Sequence, residues 1–301
     1  MSERPYILHF LTPLAHVSPF DVNMAADAGF DVIAPYTDVG LPATRALVQD
    51  AIFSRRPKDG ARTAVLIGGR DPVLALDMFA EAKKAMVPPH FQISVMVDPS
   101  GAFTTAAAMV AVAERCLESR GDTLRGKRVV VFGATGPVGS MAALFAAKAG
   151  ARGVLAGYDG VHRVTLRADQ LGERTGIALE PADASDDEKI TALMREAEVV
   201  FCAGRAGVRI LHRRHLEAAT RLRLVVDVNA VPPSGVEGLD PFADGKPVEG
   251  TEIPGIGALA VGDVKFRAEH ELLASMRDAD PRRFVGLDET LEAARRCARK
   301  G

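Results

Sequence analysis

The chain has 301 residues, 48% of them apolar and 25% charged, with a formal net charge of −2. That length gives room for two domains of ordinary size, each with its own core, and the balanced charge argues against nucleic acid or an anionic membrane surface as principal partner. No apolar run approaches the ~20 residues of a bilayer span, and the lack of Trp, with only 5% aromatics, disfavours a stacking platform for single strands.

The first segment, Met1 to Tyr6, has no basic stretch leading into an apolar one, so we expect no secretory leader and a cytoplasmic location. Short strand-like runs follow at Tyr6–Leu11, Asp31–Ala34, Thr63–Ile67 and Gln92–Val97. Helices are expected between them near 20–28, 42–54, 72–86 and 102–118. Ser18-Pro19 and Asp71-Pro72 each place a capping side chain before a proline at the first helical position. Alternation of this kind implies a mainly parallel sheet with helices on its faces. The polar stretch Glu118 to Gly126 is where the sequence places the domain boundary.

A second alternating set begins with Val129–Phe132, an apolar run that reads as a strand buried on both faces. Further strands are expected at Gly153–Ala156, Val199–Cys202 and Leu224–Val228, with helices near 137–149, 161–174, 185–195 and 213–219. The Pro/Gly-rich passage from Val231 to Gly257 reads as a long functional loop. Helices near 263–277 and 287–299 close the chain. Cys116, Cys202 and Cys297 are too widely spaced to read as a metal or redox motif, and the seven histidines form no H-E-x-x-H cluster. Buried free thiols, no metal and no hydrolytic nucleophile are the expectations.

Chemistry concentrates where strands end. Gly133-Ala-Thr-Gly-Pro-Val-Gly139 turns the strand Val129–Phe132 straight into an Ala-rich helix. Such a turn offers bare backbone N–H groups and a helix N-terminus to a pyrophosphate. Thr135, Gly136, Pro137 and Val138 should face the phosphates, while Gly139 lets the helix pack closely on the sheet. Asp159, at the next strand tip, could accept hydrogen bonds from the adenosine ribose and so favour NAD. Arg163, with His162 and Arg152, could instead neutralise the 2′-phosphate of NADP, so both cofactors stay open. Ala203 and Gly204 after one strand, and Asn229 and Ala230 after another, are small or polar enough for the nicotinamide ribose to approach. In the first half, Ser18–Asn23 and Asp98–Thr105 sit after strands and at helix starts, where polar groups either cap or point into a crevice.

Thr12–Met24, Pro35–Val39, Phe103–Ala107, Gly133–Gly139, Asp227–Pro233 and Gly255–Gly262 together resemble the NAD(P)-dependent methylene-tetrahydromethanopterin dehydrogenases, in the same order over essentially the whole chain. Gly262-Asp-Val264 is more distantly similar to a motif of the methylenetetrahydrofolate dehydrogenase/cyclohydrolases. The resemblance implies an α/β fold: an N-terminal α/β substrate domain, a Rossmann-type dinucleotide-binding domain, and C-terminal helices packing back on the first domain. The expected domains are 1–121 with 263–301 for the pterin and 122–262 for NAD(P).

It also implies hydride transfer from the methylene carbon of a tetrahydropterin carrier to NAD or NADP, in a homo-oligomer. Asp21 and Lys265 are the expected catalytic residues. Phe20, Asn23, Asp98, Thr104 and Thr105 join them as pterin-binding residues. The Tyr-x-x-x-Lys pair of the folate cyclohydrolases is missing from Phe20–Asp27, so no cyclohydrolase activity is expected. The alternatives left open are a methylenetetrahydrofolate dehydrogenase without that second activity, and a non-catalytic protein that binds nucleotide and pterin.

Overall fold

The structure, a computed structural model, describes residues 4–300; residues 1–3, on which the expected lack of a leader partly rests, lie outside that range. In chain order the first half runs β1 (Ile7–Leu11), α1 (Pro19–Asp27), β2 (Val32–Tyr36), α2 (Leu41–Phe53), β3 (Thr63–Ile67), α3 (Pro72–Lys84), β4 (Ser94–Val97) and α4 (Ala102–Glu118). It continues with β5 (Arg128–Phe132), α5 (Pro137–Lys148), β6 (Arg152–Gly157), α6 (His162–Thr175), β7 (Glu180–Asp183), α7 (Asp187–Glu196) and β8 (Val199–Cys202). The remainder is α8 (Arg213–Ala218), β9 (Leu224–Asp227), β10 (Asp244–Pro247), β11 (Pro254–Ile256), α9 (Ala258–Ser275), β12 (Phe284–Val285) and α10 (Leu287–Arg299).

The chain divides into two compact units, Met1–Thr104 with Phe266–Ala293 and Thr105–Lys265 with Ala294–Gly301. The division falls within α4, α9 and α10, whereas the sequence places it at the polar break 118–126. The reason is that α4 runs unbroken through residue 104, and no Gly or Pro interrupts it there.

The first unit holds one parallel sheet in the order β12-β4-β3-β1-β2. Every residue of β3 and β4 is buried, and β2 forms the edge. Pro35, which has no N–H to give to a ladder, sits in that edge strand. The expected caps are present: Ser18 Oγ accepts from the Asp21 N–H, and Asp71 Oδ1 from the Val73 N–H at 2.8 Å. β12 pairs with β4, so the C-terminal segment returns to this unit.

The second unit is a seven-stranded sheet, β10-β11-β9-β8-β5-β6-β7, parallel except for β10. From β7 to β11 this is the doubly wound dinucleotide-binding order, with strand order reversing between β5 and β8. Gly153 of β6 has no Cβ, which lets the Ala143 carbonyl of α5 approach the sheet.

β7, β10, β11 and β12 are strands that the sequence pattern does not announce. Glu180–Asp183 and Asp244–Pro247 are polar, Pro-containing edge strands, and β11 and β12 have three and two residues. None is long or apolar enough to show a period of two. The passage 231–257 is therefore no continuous loop. It contains β10 and β11, and α9 begins at Ala258 directly after them, not at 263.

Candidate functional site

In the second unit a cavity of about 680 Å³ opens at the carboxyl ends of β5, β6 and β8, where the strand order reverses. Doubly wound sheets hold ligands at that place. Thr135, Gly136, Pro137, Val138, Ala203 and Gly204, all expected near the nucleotide, line it. Tyr158, Ile190, Arg205, Val208 and Ile210 also line it and are not among the expected residues. Tyr158 carried a usable signal, since it stands beside Asp159 at the same strand tip.

The turn that floors this cavity depends on glycine. Gly133 has φ +79°, and a Cβ there would meet the backbone of Ala203 and Gly204. At Gly139 a Cβ would fall 2.5 Å from the Gly133 carbonyl oxygen. Without these two side chains the strand can turn straight into α5, which brings the helix N-terminus to the cavity.

Asp159 and Arg163 lie outside the lining and bind each other. Arg163 Nη1 donates to Asp159 Oδ2 at 2.9 Å and to the Tyr158 hydroxyl at 3.3 Å. The guanidinium is 57% exposed, so it can leave this pair without crossing packed side chains.

Asn229 is buried and its side chain serves the backbone. Its Oδ1 accepts from Gly207 N–H (3.2 Å) and Val231 N–H (3.1 Å), while Nδ2 donates to the Pro233 carbonyl (3.0 Å). It thereby ties the loop after β8 to the loop after β9; its neighbour Ala230 is exposed and outside the lining. Asp227 does similar work, accepting from the N–H groups of Asn229, Gly235 and Val236. Burial pushes its carboxyl up from the ordinary value, and those backbone donors pull it back. Asn229→Ala should lower the unfolding free energy by about 1–3 kcal/mol, measured by denaturant titration, because it strips partners from three backbone groups. Cys202 beside Asp227 is fully buried and its thiol is held well above the usual range; Cys116 and Cys297 are also buried, and none of the three is in a disulfide.

In the first unit a smaller cavity of about 210 Å³ sits beyond the ends of β1 and β3, again where the strand order reverses. Its inner wall is Phe10, Thr12 and Asp21, the last only 4% exposed. His16, Pro19, Arg70 and Ser100 form the exposed rim. Asp21 arrives there from the first turn of α1, where its own N–H is held by Ser18.

The remaining pterin candidates are placed elsewhere. Phe20 and Asn23 are exposed on α1 and line neither cavity. Asp98 and Thr104 are bound to each other: Thr104 Oγ1 donates to Asp98 Oδ2 at 2.5 Å, and Asp98 Oδ1 accepts from the N–H groups of Phe103 and Thr104. That knot fastens the start of α4 and leaves both residues buried outside the cavity. Thr105 and Lys265 are partly buried on α4 and α9 and are absent from both linings.

A family profile described as "Methylene-tetrahydromethanopterin dehydrogenase, N-terminal" matches residues 19–100. The chain is 49% identical over 274 residues to the NAD(P)-dependent methylenetetrahydromethanopterin dehydrogenase of Methylorubrum extorquens, covering 91% of this chain and 92% of that one. It is 32% identical to the bifunctional protein MdtA of the same organism, over 86% and 88% of the two chains. Among solved structures it resembles shikimate 5-dehydrogenase of Listeria monocytogenes, with 16% identity, a TM-score of 0.49 and coverage of 97% and 98%. It also resembles the methylenetetrahydrofolate dehydrogenase/cyclohydrolase FolD of Campylobacter jejuni, with 12% identity, a TM-score of 0.45 and coverage of 96% and 88%.

Proposed function

The chain belongs to the family of NAD(P)-dependent methylenetetrahydromethanopterin dehydrogenases, and from that membership we propose that it is an oxidoreductase moving a hydride between the methylene group of methylene-tetrahydromethanopterin and NAD or NADP. The observation that carries the reading is the 680 Å³ cavity under Gly133–Gly139, at the reversal of a doubly wound sheet. Its glycine floor and mostly apolar walls suit a pyrophosphate and flat rings.

Bound there, the nicotinamide nucleotide supplies the hydride acceptor. Thr135, Gly136, Pro137 and Val138 would hold its phosphates, and Ala203 and Gly204 leave space for the sugar. The carrier side needs no proton abstraction, because the departing hydride leaves a methenyl cation spread over two nitrogens. The residues therefore act by binding and orienting, and that alone can supply several kcal/mol of the barrier reduction. We assign the pterin to the first-unit cavity, with Asp21 accepting hydrogen bonds from its amino-pyrimidinone edge. On the family resemblance, Lys265 meets the reacting end, and Phe20, Asn23 and Thr105 border the carrier. A cytoplasmic homo-oligomer is the accompanying reading, supported by the resemblance and by three buried cysteines outside any disulfide; light scattering tests the oligomer.

Purified protein mixed with methylene-tetrahydromethanopterin and either nucleotide should show rising reduced-nicotinamide absorbance. No turnover with either one sinks the assignment. The Asp159–Arg163 pair gives this reading a finer test. Asp159 suits the ribose hydroxyls of NAD, and Arg163, released from it, suits the 2′-phosphate of NADP. Arg163→Ala should raise KM for NADP about tenfold, leaving KM for NAD within twofold, as expected for one charge-assisted contact. Equal change for both nucleotides would remove Arg163 from this role.

A further inference from the structure

Ser100 adopts φ +51° and ψ +39°, the left-handed region that disfavours any residue with a Cβ. The conformation is imposed from both sides. Gly101 follows it, also at positive φ, and the Asp98 carboxylate grips the next turn through Phe103 and Thr104. Glycine would fit this backbone without strain, so a side chain at position 100 stands where it costs stability. Non-glycine residues in that region cluster at ligand-contacting sites.

The hydroxyl has a fixed polarity. Ser100 Oγ donates to the Gly69 carbonyl at 2.6 Å. Its single proton is committed, and its lone pairs remain for the cavity whose rim it forms. Asp21, on the inner wall of the same cavity, is also an acceptor when ionised. An acceptor held at a fixed angle on the rim of this 210 Å³ space suits an N–H donor on the edge of a bound ligand.

We propose that Ser100 is a substrate-positioning residue, its Oγ accepting an N–H of the exocyclic amino group on the carrier's amino-pyrimidinone edge, beside Asp21. This rests on the assignment of the pterin to the first-unit cavity. An exocyclic amino group and the adjacent ring N–H supply the donors, and the pair of acceptors then sets the ring's orientation. The left-handed turn at Ser100–Gly101 and the bond to Gly69 aim the hydroxyl.

Ser100→Gly tests it, since glycine tolerates the backbone; it removes the acceptor together with the hydroxyl's bond to the Gly69 carbonyl, and a carrier analogue separates the two losses. KM for methylene-tetrahydromethanopterin should rise about three- to tenfold, the loss of one neutral hydrogen bond. The values of kcat and KM for NAD(P) should stay within twofold. With a carrier analogue lacking the exocyclic amino group, wild type and Ser100→Gly should have the same KM. A mere loosening of the loop would raise KM for carrier and analogue alike, and that result overturns the proposal, as does an unchanged KM for the natural carrier. Asp21→Asn separates the two levels. If it weakens the carrier while Ser100→Gly does nothing, only the role of Ser100 fails; if neither variant matters, the cavity assignment fails with it.

Discussion

Gly133→Ala should weaken binding of both NAD and NADP by about a hundredfold or more while the protein still folds. Two independent effects meet at this position. The backbone is left-handed, φ +79°, which costs an alanine about 1–2 kcal/mol. The added methyl would also press on the Ala203 carbonyl and stand 2.6 Å from the Gly204 nitrogen, and the half-buried backbone just past β8 cannot step aside as a flexible side chain can. Relief requires the turn from β5 into α5 to shift, which moves the N–H groups that would hold the pyrophosphate. Hydrogen bonds to a charged group contribute roughly 1.5–3 kcal/mol each, so losing one or two of them to the pyrophosphate amounts to about two orders of magnitude in affinity.

Gly126→Ala isolates the conformational term, because Gly126 has φ +78° and an added methyl there would meet nothing within 4 Å. That variant should lose stability by a comparable strain and bind nucleotide normally. Calorimetric titration of NAD and NADP into both variants, with unfolding curves alongside, makes the comparison. Wild-type affinity in Gly133→Ala would show that the turn does not hold the pyrophosphate.

The contrast between the two cavities explains what the sequence could and could not show. The glycine turn, the buried strand before it and the Ala-rich helix after it are consecutive, so the gathering of Thr135 to Val138 at one strand end, where the structure has a cavity, was legible from local pattern alone. The caps at Ser18 and Asp71 were legible for the same reason. The first-unit cavity draws Thr12 and Asp21 from the β1–α1 segment, Arg70 from the β3–α3 connection and Ser100 from the β4–α4 connection, and they meet only because β1, β3 and β4 are neighbours in the sheet. Strand order is a tertiary fact that no local period encodes.

Asp98 shows a different limit. An aspartate before a helix looks the same in sequence whether it caps or binds, and only the structure shows that Asp98 accepts from Phe103 and Thr104. The family resemblance points to Asp21, which alone of the pterin candidates lines the cavity, but it offers no sign of Ser100. The signal at Ser100 is a backbone angle.

Asp21→Asn should lower kcat/KM for the methylene carrier by about 100- to 1000-fold, with KM for NAD(P) unchanged within twofold. The side chain is 4% exposed and lines the first-unit cavity, so a bound pterin edge would meet it with little water between. Hydrogen bonds from neutral donors to a charged acceptor contribute roughly 1.5–3 kcal/mol each, and two such bonds are expected to one carboxylate. Asparagine keeps the shape but turns one acceptor into an amino group, which faces a donor of the ligand with another donor. Part of the loss therefore comes from an unmet buried polar group, not from the missing charge alone. The helix itself should tolerate the change. An acidic residue in the first turn of α1 contributes about 0.3–1 kcal/mol through the helix dipole, and its own N–H bond to Ser18 is untouched by the substitution. A melting temperature within a few degrees of wild type, together with the kinetic loss confined to the carrier, is the expected pattern. Unchanged kcat/KM for the carrier would move the pterin out of this cavity.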